Sequence, residues 1–305
     1  MTKRLKQLLR WIILVGTLVF LGKALKDNWL EVTTIRIDEV GWAILAIATG
    51  ITLLAHTWAG WIWTWVLKDF NQTINSSKFI QVYLKTNIAK YLPGNIWHHY
   101  GRIVAAKNAD VPAGIATLSV LLEPLLMAAA ALIIIILFGG QFATTNNLAL
   151  QILQLLSLAV VLGAVHPWFL NPVIRVLHRL KTKKSDNSSA FVIQRYPLRP
   201  LIGELGFLLL RSVGFILTIF ALIPLNASQI PLLLGAFSFA WLLGFIVPGA
   251  PGGLGVFEAT AIALLQHRFP SAVIISAIAL YRLISIIAET AGAGLAWLDE
   301  RLAKS

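Results

Sequence analysis

The chain has 305 residues, 58% of them hydrophobic and 12% charged, with a formal net charge of +12. A soluble domain carries about 25% charged residues, so this composition excludes a water-soluble globule and places the chain in lipid. Its basic residues lie outside the apolar runs, which argues against a nucleic-acid surface, and the absence of cysteine excludes disulfides, thiol catalysis and thiolate metal sites.

Apolar runs of roughly 20 residues, the length needed to cross a hydrocarbon core, mark six spans at about 9–25, 40–67, 113–138, 149–170, 201–224 and 271–297. Lys3, Arg4, Lys6 and Arg10 precede the first. Gly22-Lys23-Ala24 is a poor cleavage site because a lysine interrupts the small residues, so 9–25 reads as an uncleaved signal anchor. The interval 26–39 is mainly acidic, and loops 139–148 and 225–230 carry no charge. Loop 171–200 holds Arg175, Arg179, Lys181, Lys183, Lys184, Arg195 and Arg199 against Asp186 alone, the bias of a cytoplasmic loop. Both termini are therefore expected in the cytoplasm, with the chain a multi-pass protein of the cell (inner or plasma) membrane. Trp58, Trp61, Trp63 and Trp65 crowd the end of the second span, and the expectation is that they sit at the membrane interface.

Two segments do not read as simple spans. In 78–97, Lys85 and Lys90 interrupt the apolar run and Pro93-Gly94 breaks it; in 231–266, the run PGAPGGLG from Pro248 to Gly255 separates two apolar arms. Proline removes a backbone donor and glycine frees the chain. In hydrocarbon such a break is tolerated only where it faces protein or a watery cavity. Loop charge then makes both segments re-entrant hairpins, one from each side. The fold class expected is an all-α polytopic membrane protein: about six full spans plus two broken re-entrant helical hairpins in an inverted repeat. The whole of 1–305 forms a single membrane domain: the signal anchor, repeat one at 40–138, the span 149–170 with its basic loop 171–200, and repeat two at 200–297. Interrupted helices at matching positions of two inverted halves point to a transporter's central site.

Ionisable groups inside spans cost roughly 2.5–3.5 kcal/mol each on insertion scales. Glu123, followed by Pro124, lies in the middle of 113–138; Arg211 lies in the middle of 201–224, with Glu204 two turns earlier; and Arg282 lies in 271–297, with Glu289 seven residues on along the same face. Glu258 falls in the first turn after the glycine-rich break. These groups can pair with one another to hold the bundle, or serve transport, or do both. The amides of PGAPGGLG at a half-helix N-terminus suit an anion such as phosphate. The candidate headgroup-binding set is Pro93, Gly94, Asn95, Arg102, Glu123, Arg211, Pro248, Gly249, Gly252, Gly253, Gly255, Glu258, Arg282 and Glu289. In the mechanism this suggests, the glycine-rich amides and Arg282 hold phosphate while Glu258 and Glu123 counterbalance it. HExxH, GxSxG, P-loop and DxD patterns are missing from the sequence. His98 and His99 are adjacent and hence splayed on a helix, so they read as polar interfacial residues; no metal and no cofactor is expected.

YLPGNIW from Tyr91 to Trp97 with Arg102, PGAPGGLGVFE from Pro248 to Glu258, and Tyr281-Arg282 together resemble the membrane domain of lysylphosphatidylglycerol synthase/flippase proteins. That is the multiple-peptide-resistance-factor group and its stand-alone relatives, and the resemblance runs from about 10 to 300. In two-domain relatives a cytosolic domain attaches lysine to phosphatidylglycerol and the membrane domain moves the product across the bilayer. The chain ends at Ser305, shortly after the last span, so the resemblance implies the flippase half alone and no lysyltransferase activity. NIWHH stands where smaller residues are expected after the glycine, which leaves the headgroup open.

The function expected is that of a lipid translocase moving a phosphate-bearing headgroup, aminoacylated or not. A membrane-embedded transferase or scaffold acting on phospholipid or isoprenoid-linked lipid is the alternative, and a small-solute secondary transporter a further one. The missing catalytic signatures favour a translocase over an enzyme. The partners expected are membrane phospholipids, with no nucleic acid; a second copy of the chain and a separate lipid-modifying enzyme are further candidates.

Overall fold

Asp38 opens the first long helix by capping it: its carboxylate accepts from the Gly41 amide at 2.7 Å, and Glu39 adds negative charge where the helix dipole favours it. The computed structural model describes residues 26, 29–92, 96–139, 148–172, 195–247 and 250–302, and it is all-helical over them. After the short α1 (Trp29–Thr34) come α2 (Glu39–Asp69), α3 (Ser76–Asn87) with a 3₁₀ turn at Ile88–Tyr91, α4 (Trp97–Lys107), α5 (Ala113–Phe138) and α6 (Leu148–Val165). The second half holds α7 (Leu198–Phe220), α8 (Ile230–Ile246), a 3₁₀ turn at Pro251–Gly253, α9 (Val256–Leu265) and α10 (Ser271–Leu302).

Among the described residues, five helices are long and apolar enough to cross a membrane: Glu39–Asp69, Ala113–Phe138, Leu198–Phe220, Ala227–Ile246 and Ser271–Leu302. Four coincide with expected spans. The span expected at 9–25 lies outside the described residues, and the one at 149–170 appears as the 18-residue α6. The remaining difference concerns the second broken segment. Its first arm, with the preceding turn, covers 20 residues, or about 30 Å at the α-helical rise, which is the length of a full crossing. The first arm of the other segment, α3, has only 12 residues, because Lys78, Gln81 and Lys85 leave no longer apolar run.

The halves pack in matching ways. Helices α2 and α7 lie against each other, α3 packs on α10 as α8 packs on α5, and α4 packs on α5 as α9 packs on α10. The two arms of each broken segment also touch, and so do the two 3₁₀ turns. Exchanging α2, α3, α4 and α5 for α7, α8, α9 and α10 therefore leaves this pattern of contacts unchanged.

Small residues let α2 and α7 come close, as expected where lipid gives helices no hydrophobic drive to associate. A Cβ placed on Gly214 would come within 2.6 Å of Thr52, and one on Gly203 within 2.9 Å of Ile62 and Trp65. The tryptophans divide. Trp58, Trp61 and Trp65 form a cluster with ring centroids 5.4–5.5 Å apart, while Trp63 turns inward, is fully buried and donates to Ser119 Oγ at 3.1 Å. Trp63 is thus a core residue of the bundle. Away from the centre the helices present Ile47, Leu54, Leu121, Leu137, Val160 and Leu283 outward, a surface suited to acyl chains.

Candidate functional site

Where the two broken segments meet, the apolar packing gives way to a polar cavity of about 120 Å³. It has room for several waters, since one needs roughly 10–15 Å³. Three ion pairs hold its walls. Arg102 on α4 donates through Nη1 to both oxygens of Glu123 on α5, at 3.0 and 2.8 Å, and its guanidinium lies 3.5 Å from the centre of the Tyr83 ring. Tyr83 donates its hydroxyl to the same carboxylate at 2.8 Å. Both charged groups are buried, so each is expensive alone and tolerated as a pair. Pro124, next to Glu123, lacks the amide that would bond the Val120 carbonyl, which loosens the helix beside the carboxylate.

The second pair closes the other side. Arg282 on α10 donates to Glu258 on α9 through Nε at 2.6 Å and also through Nη2, and through Nη1 to the Gly252 carbonyl at 3.1 Å. Glu258 in turn accepts from the Gly255 amide at 2.6 Å, an acid at the N-terminus of its own helix. The Gly253 amide bonds the Ala250 carbonyl at 2.9 Å. These two amides of the glycine-rich turn are thus engaged within the protein. Gly252, Gly253 and Gly255 have φ of 59°, 75° and 85°, the left-handed region that glycine enters without steric cost.

The third pair joins the halves. Lys90 in the 3₁₀ turn after α3 reaches Glu289 on α10 at 2.6 Å. The same Glu289 oxygen lies 3.1 Å from His56 Nε2, and His56 Nε2 lies 3.1 Å from Nη1 of Arg211 on α7. Asn87 approaches the other ring nitrogen of His56 at 3.3 Å. Tyr281 donates to the Arg211 backbone carbonyl at 3.1 Å and belongs to a cluster with Phe215, Phe237 and Phe257, with centroids 5.4–6.1 Å apart, which packs beneath the cavity.

Of the sequence-predicted residues, Arg102, Glu123, Arg211, Gly252, Gly253, Arg282 and Glu289 line the cavity, and Glu258 and Gly255 stand behind Arg282. Pro93, Gly94, Asn95, Pro248 and Gly249 lie outside the described residues. Arg282 and Glu289 share a helix face but take different partners. Glu204 is fully buried, does not line the cavity, and neither of its carboxyl oxygens has a partner among the described residues.

His56, Tyr83, Asn87 and Lys90 also line the cavity, although the sequence does not mark them as site residues. Lys90 carried a signal, a cation in an otherwise apolar arm; His56 carried only its presence in a span. His98 and His99 are not splayed apart as their adjacency suggested. Both line the cavity, with ring centroids 3.8 Å apart. No group of three or more metal-ligating side chains occurs among the described residues.

The sequence profile of the lysylphosphatidylglycerol synthase TM region matches residues 7–292. The chain belongs to that family. No curated protein matches it. The match includes every residue of the cavity, so the ion-paired centre lies within the lysylphosphatidylglycerol synthase membrane region itself. The chain is accordingly a membrane-embedded helical protein of this family.

Proposed function

We propose that the protein is a lipid translocase of the cell membrane, in which the central cavity receives the phosphate-bearing headgroup while the acyl chains stay in the bilayer. The observation that carries this reading is the cavity itself: a chamber lined by Lys90, Arg102, Glu123, Arg211, Arg282 and Glu289 where two broken segments meet inside an apolar bundle. The barrier to flipping is the loss of water by headgroup charges and dipoles. A polar chamber at membrane depth lowers that barrier without any covalent step, and membrane-embedded ionisable groups commonly mark such pathways. The matched packing of the two halves supports an inverted repeat that rocks about the site, with α3–α4 and α8–α9 as its broken hairpins. Both termini face the cytoplasm in this reading.

The test uses the purified chain in liposomes carrying fluorescent phospholipids, with a membrane-impermeant quencher added outside. Inner-leaflet label becomes quenchable at a rate above that of protein-free liposomes, and mass spectrometry finds the lipid chemically unchanged. A protein-free rate together with a new lipid product would replace this reading with that of a membrane-embedded transferase.

A further inference from the structure

Among the basic side chains that line the cavity, three have a carboxylate of their own: Lys90 has Glu289, Arg102 has Glu123 and Arg282 has Glu258. The fourth, Arg211, has no carboxylate in ion-pairing range among the described residues. It is 7% exposed, and its Nε is buried without a partner. Its one polar side-chain neighbour is His56 Nε2, at 3.1 Å, and that nitrogen is contested. With the Asn87 amide donating to Nδ1 of the neutral ring, the ring proton sits on Nε2, where it is given to Glu289 at 3.1 Å. A nitrogen that donates to Glu289 cannot also accept from Arg211. The arginine therefore faces the cavity with donors but no acceptor, over the Tyr281 ring at 5.2 Å. A buried cation in that state is costly unless something supplies a negative oxygen.

The carboxylates tell the complementary story. Glu123 is spanned by Arg102 and Tyr83, and Glu258 by Arg282 and the Gly255 amide. Glu289 keeps one buried oxygen, Oε2, without a partner, but Lys90 already matches its charge. Glu204 does not face the cavity. The chamber thus holds one positive charge in excess, with histidines counted as neutral.

We infer that this cavity is built for a headgroup with a single net negative charge, a phosphodiester monoanion without an ammonium, and that Arg211 is the group that binds its phosphate. This rests on the translocase reading and deepens it by naming the substrate class. An aminoacylated headgroup brings ammonium groups to a chamber whose three carboxylate charges are each already matched by a cation and whose surplus is positive. Like charges in a desolvated site are a means of rejection as well as of cost. Arg211 offers a planar set of donors matched to two phosphate oxygens.

The experiment compares lipids in the same proteoliposomes: tail-labelled phosphatidylglycerol, phosphatidylethanolamine and lysylphosphatidylglycerol, each at trace level in phosphatidylcholine. Native mass spectrometry of the detergent-solubilised chain measures binding of the same lipids, with inorganic phosphate as a separate arm. Phosphatidylglycerol moves and binds at least about tenfold better than the lysyl lipid, the scale of one charge-assisted hydrogen bond gained or lost. Arg211→Gln removes that preference, and Arg211→Lys keeps part of it. Equal or better handling of the lysyl lipid by the unaltered chain overturns the inference and leaves the translocase reading standing. So does an intact preference in Arg211→Gln. Flipping of no lipid above the protein-free rate sinks the translocase reading, and the binding comparison then decides the charge preference by itself. Phosphate binding as tight as that of phosphatidylglycerol would make the site one for a free anion and overturn the lipid assignment.

Discussion

Lys90 and Glu289, separated by 199 positions in the chain, meet at 2.6 Å and tie the first broken segment to the last helix. Removing one partner of a buried pair leaves the other charge uncompensated, which costs about 3–5 kcal/mol. Lys90→Met and Glu289→Gln are each expected to lower stability on that scale. The double variant Lys90→Met/Glu289→Gln falls well short of the sum, because neither charge is left behind. Thermal unfolding of the four proteins in detergent completes the cycle, and additive losses would show that the two groups act independently.

Arg102 offers a sharper contrast between charge and shape. Its guanidinium bonds both Glu123 oxygens through Nη1 and stacks on Tyr83, and lysine can supply the charge but not the stacking plane. Arg102→Lys is therefore expected to destabilise by roughly 1–3 kcal/mol, the scale of a charged hydrogen bond lost in a buried site. Wild-type melting behaviour in that variant would mean that charge alone suffices.

Glu258 and Arg282 are not equivalent targets. Glu258→Ala strips Arg282 of its carboxylate and frees the Gly255 amide together, whereas Arg282→Ala leaves Glu258 with that amide. Lower membrane accumulation is expected for Glu258→Ala, and near-normal accumulation with impaired flipping for Arg282→Ala. Immunoblots of membranes beside the quenching assay separate the two.

The glycine-rich turn is predicted to resist even alanine. Gly252 and Gly253 have φ of 59° and 75°, and a Cβ on Gly253 would come within 3.3 Å of the Gly244 backbone, which cannot rotate away as a side chain could. Gly253→Ala should cost about 1–2 kcal/mol from the left-handed conformation alone, read as a lower melting temperature.

Orientation can be tested directly because the chain has no cysteine of its own. Single cysteines at Ser188 and Ser305 are expected to be shielded from an impermeant thiol reagent in intact cells, and one at Thr145 to be labelled. Labelling at Ser188 would reverse the topology.

Much of this architecture is legible in the sequence because apolar length and loop charge are one-dimensional signals. The spans at 40–67, 113–138, 201–224 and 271–297 all appear as long helices. The breaks could be placed because proline and glycine declare themselves. Pairing could not be read, since a helix face meets whatever element lies opposite. Arg282 and Glu289 sit seven residues apart on one face, yet one looks to Glu258 on α9 and the other to Lys90 beside α3. His56, flanked by Ala55 and Thr57 in an apolar span, gave no hint that its Nε2 would lie 3.1 Å from both Glu289 and Arg211.

The two 3₁₀ turns touch, and a Cβ on Gly252 would come within 2.8 Å of the Tyr91 ring. The aromatic ring rests there on bare backbone, and any side chain at position 252 would have to displace it. Beside this contact Lys90–Glu289 joins the two halves, whereas Arg102–Glu123 and Arg282–Glu258 each lie within one half. In the translocase reading proposed above, Lys90–Glu289 is the ion pair between the halves whose release would free one broken segment to move against the other.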